Sequence, residues 1–445
     1  MGAKRSRLRR RCTWVALFSD GAMSAGGGSV RANLERARSV KGAEPVERVT
    51  GSLGLVFVAF GALWLTGCGK KGGDLGASTT PGADVGIAAP RAAYVTDNGS
   101  DTITVFDRDG DRVVHVAVDL DPKRHEAPHH LALDGAHGRL FVALAFPDAP
   151  AESANKKDPH AGHGNAEAHG ELARLDLARV AVNDAREVDE NPGDVVLSHD
   201  RSRVLVTHFD MKRAMNVAAA GGPTSKMFAS LQVWDASSMA LVGARPLCVA
   251  PHGVTTTRDD KTAFVACYGS DELAVVDLTQ PSLPTTRYPL GASPGAPGVP
   301  TYGPYSATLS PDERIVVVAS LEGMDLRVFD RERKQFVAEQ AVPLGARAFM
   351  PAFVGPHDVL VPLQGPDGIA RVDLERGAVS ARASTADTCR APHVVRVAKD
   401  GRAYVVCEGD HVTPGAVVQI DTQTLAIQKR WETGVYPDAV AFGDE

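Results

Sequence analysis

The chain has 445 residues, 23% of them charged and 44% hydrophobic, an ordinary globular composition whose length admits two or three domains or one large single-core fold. Its 44 glycines and 28 prolines against 6% aromatic residues favour many turns over long helices. The net charge of −6 divides into +7 over residues 1–48 and −13 over the rest. A body that acidic argues against nucleic acid as a partner, and six cysteines without CxxC or CxxCH exclude zinc-ribbon, thioredoxin-like and c-type haem motifs.

The first feature in chain order is the apolar run Ser52–Leu65, SLGLVFVAFGALWL, preceded by Arg48 and closed by Leu65-Thr66-Gly67-Cys68. Its 14 residues are too few to span a bilayer comfortably. A basic flank, a short apolar core and small residues at its end describe a secretory signal. The ending resembles the lipobox of bacterial lipoproteins. That resemblance implies that Cys68 is lipidated and becomes the mature N-terminus. It also implies a bacterial cell-envelope protein, periplasmic or surface-facing, whose first partner is the membrane. The alternative is an ordinary signal or anchor helix with a chance cysteine. Residues 1–67 therefore read as an extension plus signal peptide. Residues 68–89 lack hydrophobic periodicity and read as a flexible tether.

Beyond the tether, an apolar strand ending in Asp recurs: ITVFD ending at Asp107, LARLD at Asp176, LQVWD at Asp235, LAVVD at Asp277, LRVFD at Asp330, IARVD at Asp373 and VVQID at Asp421. A proline opening a strand recurs at Pro128, Pro192, Pro251, Pro304, Pro351, Pro392 and Pro437. Between the two markers lie segments such as RVLVTHF, TAFVACY and RIVVVAS, some preceded by turns such as SPDE at Ser310–Glu313. Each unit reads as a four-stranded meander that cannot bury both faces alone, so copies must stack. Four strands at a period of about 40–50 residues predict propeller blades. The terminal Asp of each third strand is assigned a turn, its carboxylate accepting backbone N–H groups. Pro437–Phe442 reads as an inner strand with nothing after it, and Ala92–Asp107 as a second and third strand with none before. Pairing them closes an all-β, seven-bladed ring of four-stranded antiparallel blades over residues 90–445.

The stretch Tyr94–Val105, YVTDNGSDTITV, resembles the YVTN-type repeat of bacterial and archaeal surface propellers, and Leu309-Ser310-Pro311-Asp312 fits the same pattern. The resemblance spans residues 90–445 and implies the propeller fold. Related propellers include those of nitrous oxide reductase and haem-d-containing nitrite reductase, lactonases and plain binding modules, so no single activity is implied.

In such a fold the inner strand lines the central channel. The residues after the prolines then form a ring at one mouth: His129, Gly193, His252, Tyr305, Ala352, His393 and Asp438. Histidines with a carboxylate suit a transition metal. The alternative is histidines that are hydrogen-bonded entries to their strands. The nitrous oxide reductase propeller holds its copper cluster with histidines in this region. Three ring histidines rather than seven, and no cupredoxin-like domain, depart from that pattern, and its activity is not carried over. Arg390 is a further candidate for clamping a ligand, with a surface ion pair as the alternative. Two insertions enlarge the mouth: Pro147–Gly170 carries His160, His163 and His169, and Asp210–Ala229 carries Met211, Met215 and Met227 just after His208. Mixed His and Met side chains suit copper, while long insertions also serve as lids or partner surfaces.

Cys248 and Cys389 each lie three residues before an opening proline, and Cys267 and Cys407 each end a second strand. The start of an inner strand neighbours the end of the second, which predicts Cys248–Cys267 and Cys389–Cys407 disulfides. No GxSxG, HExxH, Walker loop or GxGxxG in strand–helix context is present, so no catalytic residue is assigned. The expectation is a membrane-anchored extracytoplasmic propeller serving as a binding module. A small ligand or envelope protein would dock through His129, His252, Tyr305, His393, Asp438 and Arg390. One alternative is a propeller holding copper or another transition metal through the ring histidines and the His/Met loops. Another is a lactonase-type hydrolase.

Overall fold

The structure, a computed structural model, describes residues 84–121, 123–146, 166 and 168–444. The signal segment, Cys68, His160 and His163 lie outside the described residues. Seven antiparallel sheets follow one another along the chain, and the molecule is a seven-bladed β-propeller. A representative blade runs from inside to outside as Pro251–Thr256, Thr262–Cys267, Glu272–Asp277 and Thr285–Pro289. The last sheet is built from both ends of the chain. Pro437–Phe442 forms its inner strand and pairs with Ala92–Asp97, with Tyr94 opposite Ala441 and Val95 opposite Val440. The ring is thereby closed without a covalent link, and its inner edge is shared like that of every other blade.

Each repeat marker has a physical reason. Every third-strand Asp caps the turn after it: Asp235 accepts the N–H groups of Ser237 and Ser238, and Asp421 those of Gln423 and Thr424. Asp107, Asp176, Asp277, Asp330 and Asp373 do the same in their own turns. The residue before six of the opening strands has a left-handed backbone: Ala127, Asn191, Ala250, Gly303, Ala391 and Tyr436. Its carbonyl accepts the N–H of the residue just past the second strand, as in Phe209 to Asn191 at 2.7 Å, Tyr268 to Ala250 at 3.1 Å and Glu408 to Ala391 at 3.1 Å. This clamp fixes where each inner strand begins.

Proline then opens the strand, and a bulge follows at once. The register shifts between Pro128 and Leu131, Pro192 and Val195, Pro251 and Val254, and Pro392 and Val395. A bulge breaks the two-residue alternation of side chains. Two consecutive residues after each proline can therefore face the centre.

One blade departs from the pattern. Its inner strand is broken into Arg347–Ala348 and Ala352–Phe353. Arg347 lies opposite Gln364, the last residue of the second strand, which is the place prolines hold elsewhere. Pro351 therefore does not open this strand, and Ala352, opposite Leu360, sits further down it. Phe349 takes the central position instead and is fully buried.

The apolar core lies between neighbouring blades. Where the ends meet, Phe106 stacks on Trp431 with centroids 4.5 Å apart, and Tyr404 packs on Phe442 at 4.8 Å. Both disulfides form as expected, with Cα separations of 5.9 Å for Cys248–Cys267 and 5.0 Å for Cys389–Cys407. Each is a staple between sheets: Cys248 is the penultimate residue of the outer strand Leu241–Val249 of one blade, and Cys267 ends the second strand of the next.

Candidate metal centre

The clamp and bulge bring five of the predicted ring residues into one buried cluster. His129, His252, Tyr305, His393 and Asp438 are all at most 5% exposed. They do not line an open mouth. Phe209 lies over His252 and Tyr305, at 5.2 and 6.1 Å between centroids, and Phe349 packs on Tyr305 and His393 at 5.3 and 5.2 Å. These aromatic side chains cap the cluster on the loop side.

The cluster has two halves. In the first, His129, His130 and His252 each offer a ring nitrogen within 4.8 Å of the other two. Each Nδ1 faces an acceptor. His129 meets a carboxylate oxygen of Asp438, His130 donates to Asp194 Oδ1 at 2.9 Å, and His252 donates to the Tyr305 carbonyl at 3.2 Å. An acceptor at Nδ1 keeps the proton there and leaves the lone pair on Nε2. Asp194 is itself oriented, accepting the N–H groups of Val195 and Val254. His130 Nε2 is buried and has no hydrogen-bond partner among the described residues. Burial holds His129 below the usual histidine range against the pull of Asp438. Neutral imidazoles with one nitrogen tied to a carboxylate or carbonyl are the form in which histidine binds transition metals.

The second half is ionic. His393 Nδ1 lies 2.8 Å from Asp438 Oδ1 and 3.2 Å from Glu408 Oε1. Although burial pushes His393 down, Glu408 and Asp438 together raise it to about 9, so it is an imidazolium. Its Nε2 donates to the Tyr305 hydroxyl at 3.0 Å. Burial, reinforced by the negative charge of Asp438, holds that phenol protonated, well above its ordinary value. Asp438 is pushed up by burial, yet His129 and His393 hold it ionised, well below the usual carboxylate range. Glu408 also binds His411 Nε2 at 3.0 Å. His393 already carries its proton and is committed to two carboxylates, so His129, His130 and His252 form the better metal-binding half.

Other sequence candidates lie elsewhere. Arg390 is exposed and faces Asp410 at 3.6 Å, outside the buried cluster. His208 is buried, but its Nδ1 bonds the Ser230 carbonyl at 3.0 Å. The Met-bearing insertion is an ordered α-helix, Met211–Ala219, capped by Asp210, whose side chain accepts the Arg213 N–H. Met215 on it is 51% exposed, and Met227 packs with Ala214 and Val249. His169 is exposed where it opens its strand. Neither His169 nor His208 belongs to a donor group among the described residues.

His130, Asp194 and Glu408 were missed by reading only the residue after each proline. His130 and Asp194 are second after theirs and turn inward through the bulge. Glu408 is the residue just past a second strand, held inward by the clamp to Ala391. The signals were present as His129-His130, Pro192-Gly193-Asp194 and Cys407-Glu408.

Below the cluster, the channel holds a cavity of about 570 Å³ between the inner strands. His130 and Asp194 lie at its closed end, Arg396 near the far end of the inner strand Pro392–Val397, and His199, Arg201 and Lys399 at the turns beyond the strands.

No family model matches the chain, and no curated protein matches it. Its fold is similar to solved structures. A functionally unknown protein from Desulfotomaculum acetoxidans superposes with a TM-score of 0.57 at 10% identity, covering 79% of this chain and 98% of that one. The periplasmic gluconolactonase PpgL of Pseudomonas aeruginosa gives 0.55 at 17% identity, with 79% and 98% covered. Hydrazine synthase from Kuenenia stuttgartiensis gives 0.52 at 15% identity, with 72% and 90% covered. At such identities the likeness is one of fold.

Proposed function

We propose that this chain is a YVTN-type propeller lipoprotein of the bacterial envelope, a binding module whose ligand is a transition-metal ion held by His129, His130 and His252. The observation that carries the reading is the convergence of three buried imidazole nitrogens, each ring fixed by an acceptor at Nδ1. An all-imidazole donor set suits copper or zinc, and three protein ligands leave a position open to a further ligand. Two disulfides favour an oxidising compartment, in keeping with export and the Cys68 anchor.

The full chain, incubated with copper or zinc and desalted, is expected to retain about one ion per molecule by elemental analysis. His130→Gln with His252→Gln should lose it, while His208→Gln keeps it. X-ray absorption on the loaded wild type should show imidazole nitrogen donors. Protein that retains neither metal and whose melting temperature ignores both would rule the reading out.

A second reading, a lactonase-type hydrolase, draws on the likeness to a gluconolactonase and on Tyr305, His393 and Asp438 beside the centre. Gluconolactone hydrolysis that disappears in Asp438→Asn would favour it. Hydrolysis no faster than in buffer would remove it.

A further inference from the structure

The sequence directs a ligand to the loop side of the ring, where the insertions lie. That side is covered by Phe209 and Phe349, while the cavity opens at the other end of the inner strands. Of the three clustered histidines, His130 alone also lines the cavity, together with its partner Asp194. The cavity therefore meets the centre at His130.

The charges along this route are uneven. Arg201, Arg396 and Lys399 line the outer end, with His199 beside them, and Asp194 is the only carboxylate among the described lining residues. Asp194 is occupied by His130 and by the backbone N–H groups of Val195 and Val254. Arg201 pairs with Asp134 at 3.0 Å and Lys399 Nζ donates to the Asp444 carbonyl, and both Arg396 and Lys399 are exposed to solvent. The acids of the neighbouring turns lie off the lining and are held within or between those turns, Asp260 by the N–H groups of His199 and Asp200 and Glu313 by that of Arg258. Asp200 accepts from Ser198 and Ser202, Asp259 from Thr257, Asp312 from Ser310, and Asp400 pairs with Arg402. A narrow cavity with low-dielectric walls focuses the field of such cations and concentrates anions.

We infer that the channel is the entrance to the centre and that it admits a small anionic molecule, a carboxylate or inorganic oxyanion, from the face opposite the insertions, past Arg396 and Lys399 to His130. The end point of the route rests on reading the histidines as a metal centre. The entrance and its charge preference do not.

The test uses the full chain carrying Thr308→Cys, a half-buried wall position of the cavity. Alkylation of that cysteine is followed peptide by peptide by mass spectrometry with iodoacetate, an anion, and iodoacetamide, its neutral counterpart. The iodoacetate-to-iodoacetamide rate ratio should fall at least ~3-fold when Arg396→Glu and Lys399→Glu are added, and should also fall with rising salt in the unreversed protein. A ratio unmoved by both charge reversal and salt overturns the inference, and the salt arm holds even if the reversed variant misfolds. In a second arm, copper-loaded protein is titrated with azide. The azide-to-copper absorption band should develop more slowly in Thr308→Trp than in wild type. Equal rates would show that anions reach the centre by another way. Failure to load copper or zinc would instead count against the metal centre and leave the alkylation result standing.

Discussion

At one position of the repeat, the last residue of the second strand, the blades carry Asp97, His208, Cys267 and Cys407, all buried. The two ionisable ones make opposite demands. Burial pushes Asp97 up to about 7 against hydrogen bonds from Thr104, Thr102 and Gly434. Between its ordinary value of 3.8 and about 7 the folded chain keeps a proton that the unfolded chain has released, so stability falls as pH rises. Burial pushes His208 down to about 4, against the pull of Asp189. Between about 4 and its ordinary 6.5 the unfolded chain holds the extra proton, so stability rises with pH. The slopes oppose across that shared window, so these two contributions largely offset each other in the wild type. Asp97→Asn should expose a rise, and His208→Gln a fall, each reaching roughly 3 kcal/mol. Urea midpoints across the window would measure this, and parallel profiles for all three proteins would rule it out. At this scale the ring was only half legible. Proline marks the first inward residue, so His129, His252, Tyr305, His393 and Asp438 could be read directly. A bulge leaves no mark in composition, so their neighbours His130 and Asp194 stayed hidden.

Blades are held to one another by more than apolar packing. Cys248–Cys267 and Cys389–Cys407 each tie a segment at or just beyond an outer strand to the second strand of the following blade. Sequence separations of 19 and 18 residues give about 3 kcal/mol each in the chain-entropy view. Replacing Cys248 and Cys267 together by Ala should lower the unfolding free energy from denaturant titration by that amount. A loss under ~0.5 kcal/mol would mean that packing alone holds the two blades at this joint. The cysteine pairs were legible because they recur at matching repeat positions. The broken inner strand around Pro351 was not, since a proline stands near the expected place while Arg347 takes the structural role. A marker that recurs for steric reasons can be supplied by another residue wherever pairing fixes the register first.

The count of blades was readable from the sequence because the capping Asp and the opening Pro each answer a requirement that every unit shares. Closure was readable from the mismatch of the two ends. It places Val440, Ala441 and Phe442, each at most 2% exposed, in the innermost layer of the closing sheet. Removing residues 437–445 should therefore lower the melting temperature by more than ~10 °C or leave insoluble protein, and it takes Asp438 from the centre as well. Phe442→Ala, which spares the strand, should cost about 3–5 kcal/mol. A truncated protein melting with the wild type would contradict the closure. The same arrangement bears on biosynthesis. Gly434 meets Asp97 across 337 positions of sequence, so the ring cannot shut until the Pro437 segment has left the ribosome. Six sheets must wait, with one flank bare, for the last strand to arrive, and a chaperone that shields that flank until then would act on this protein at its most vulnerable moment.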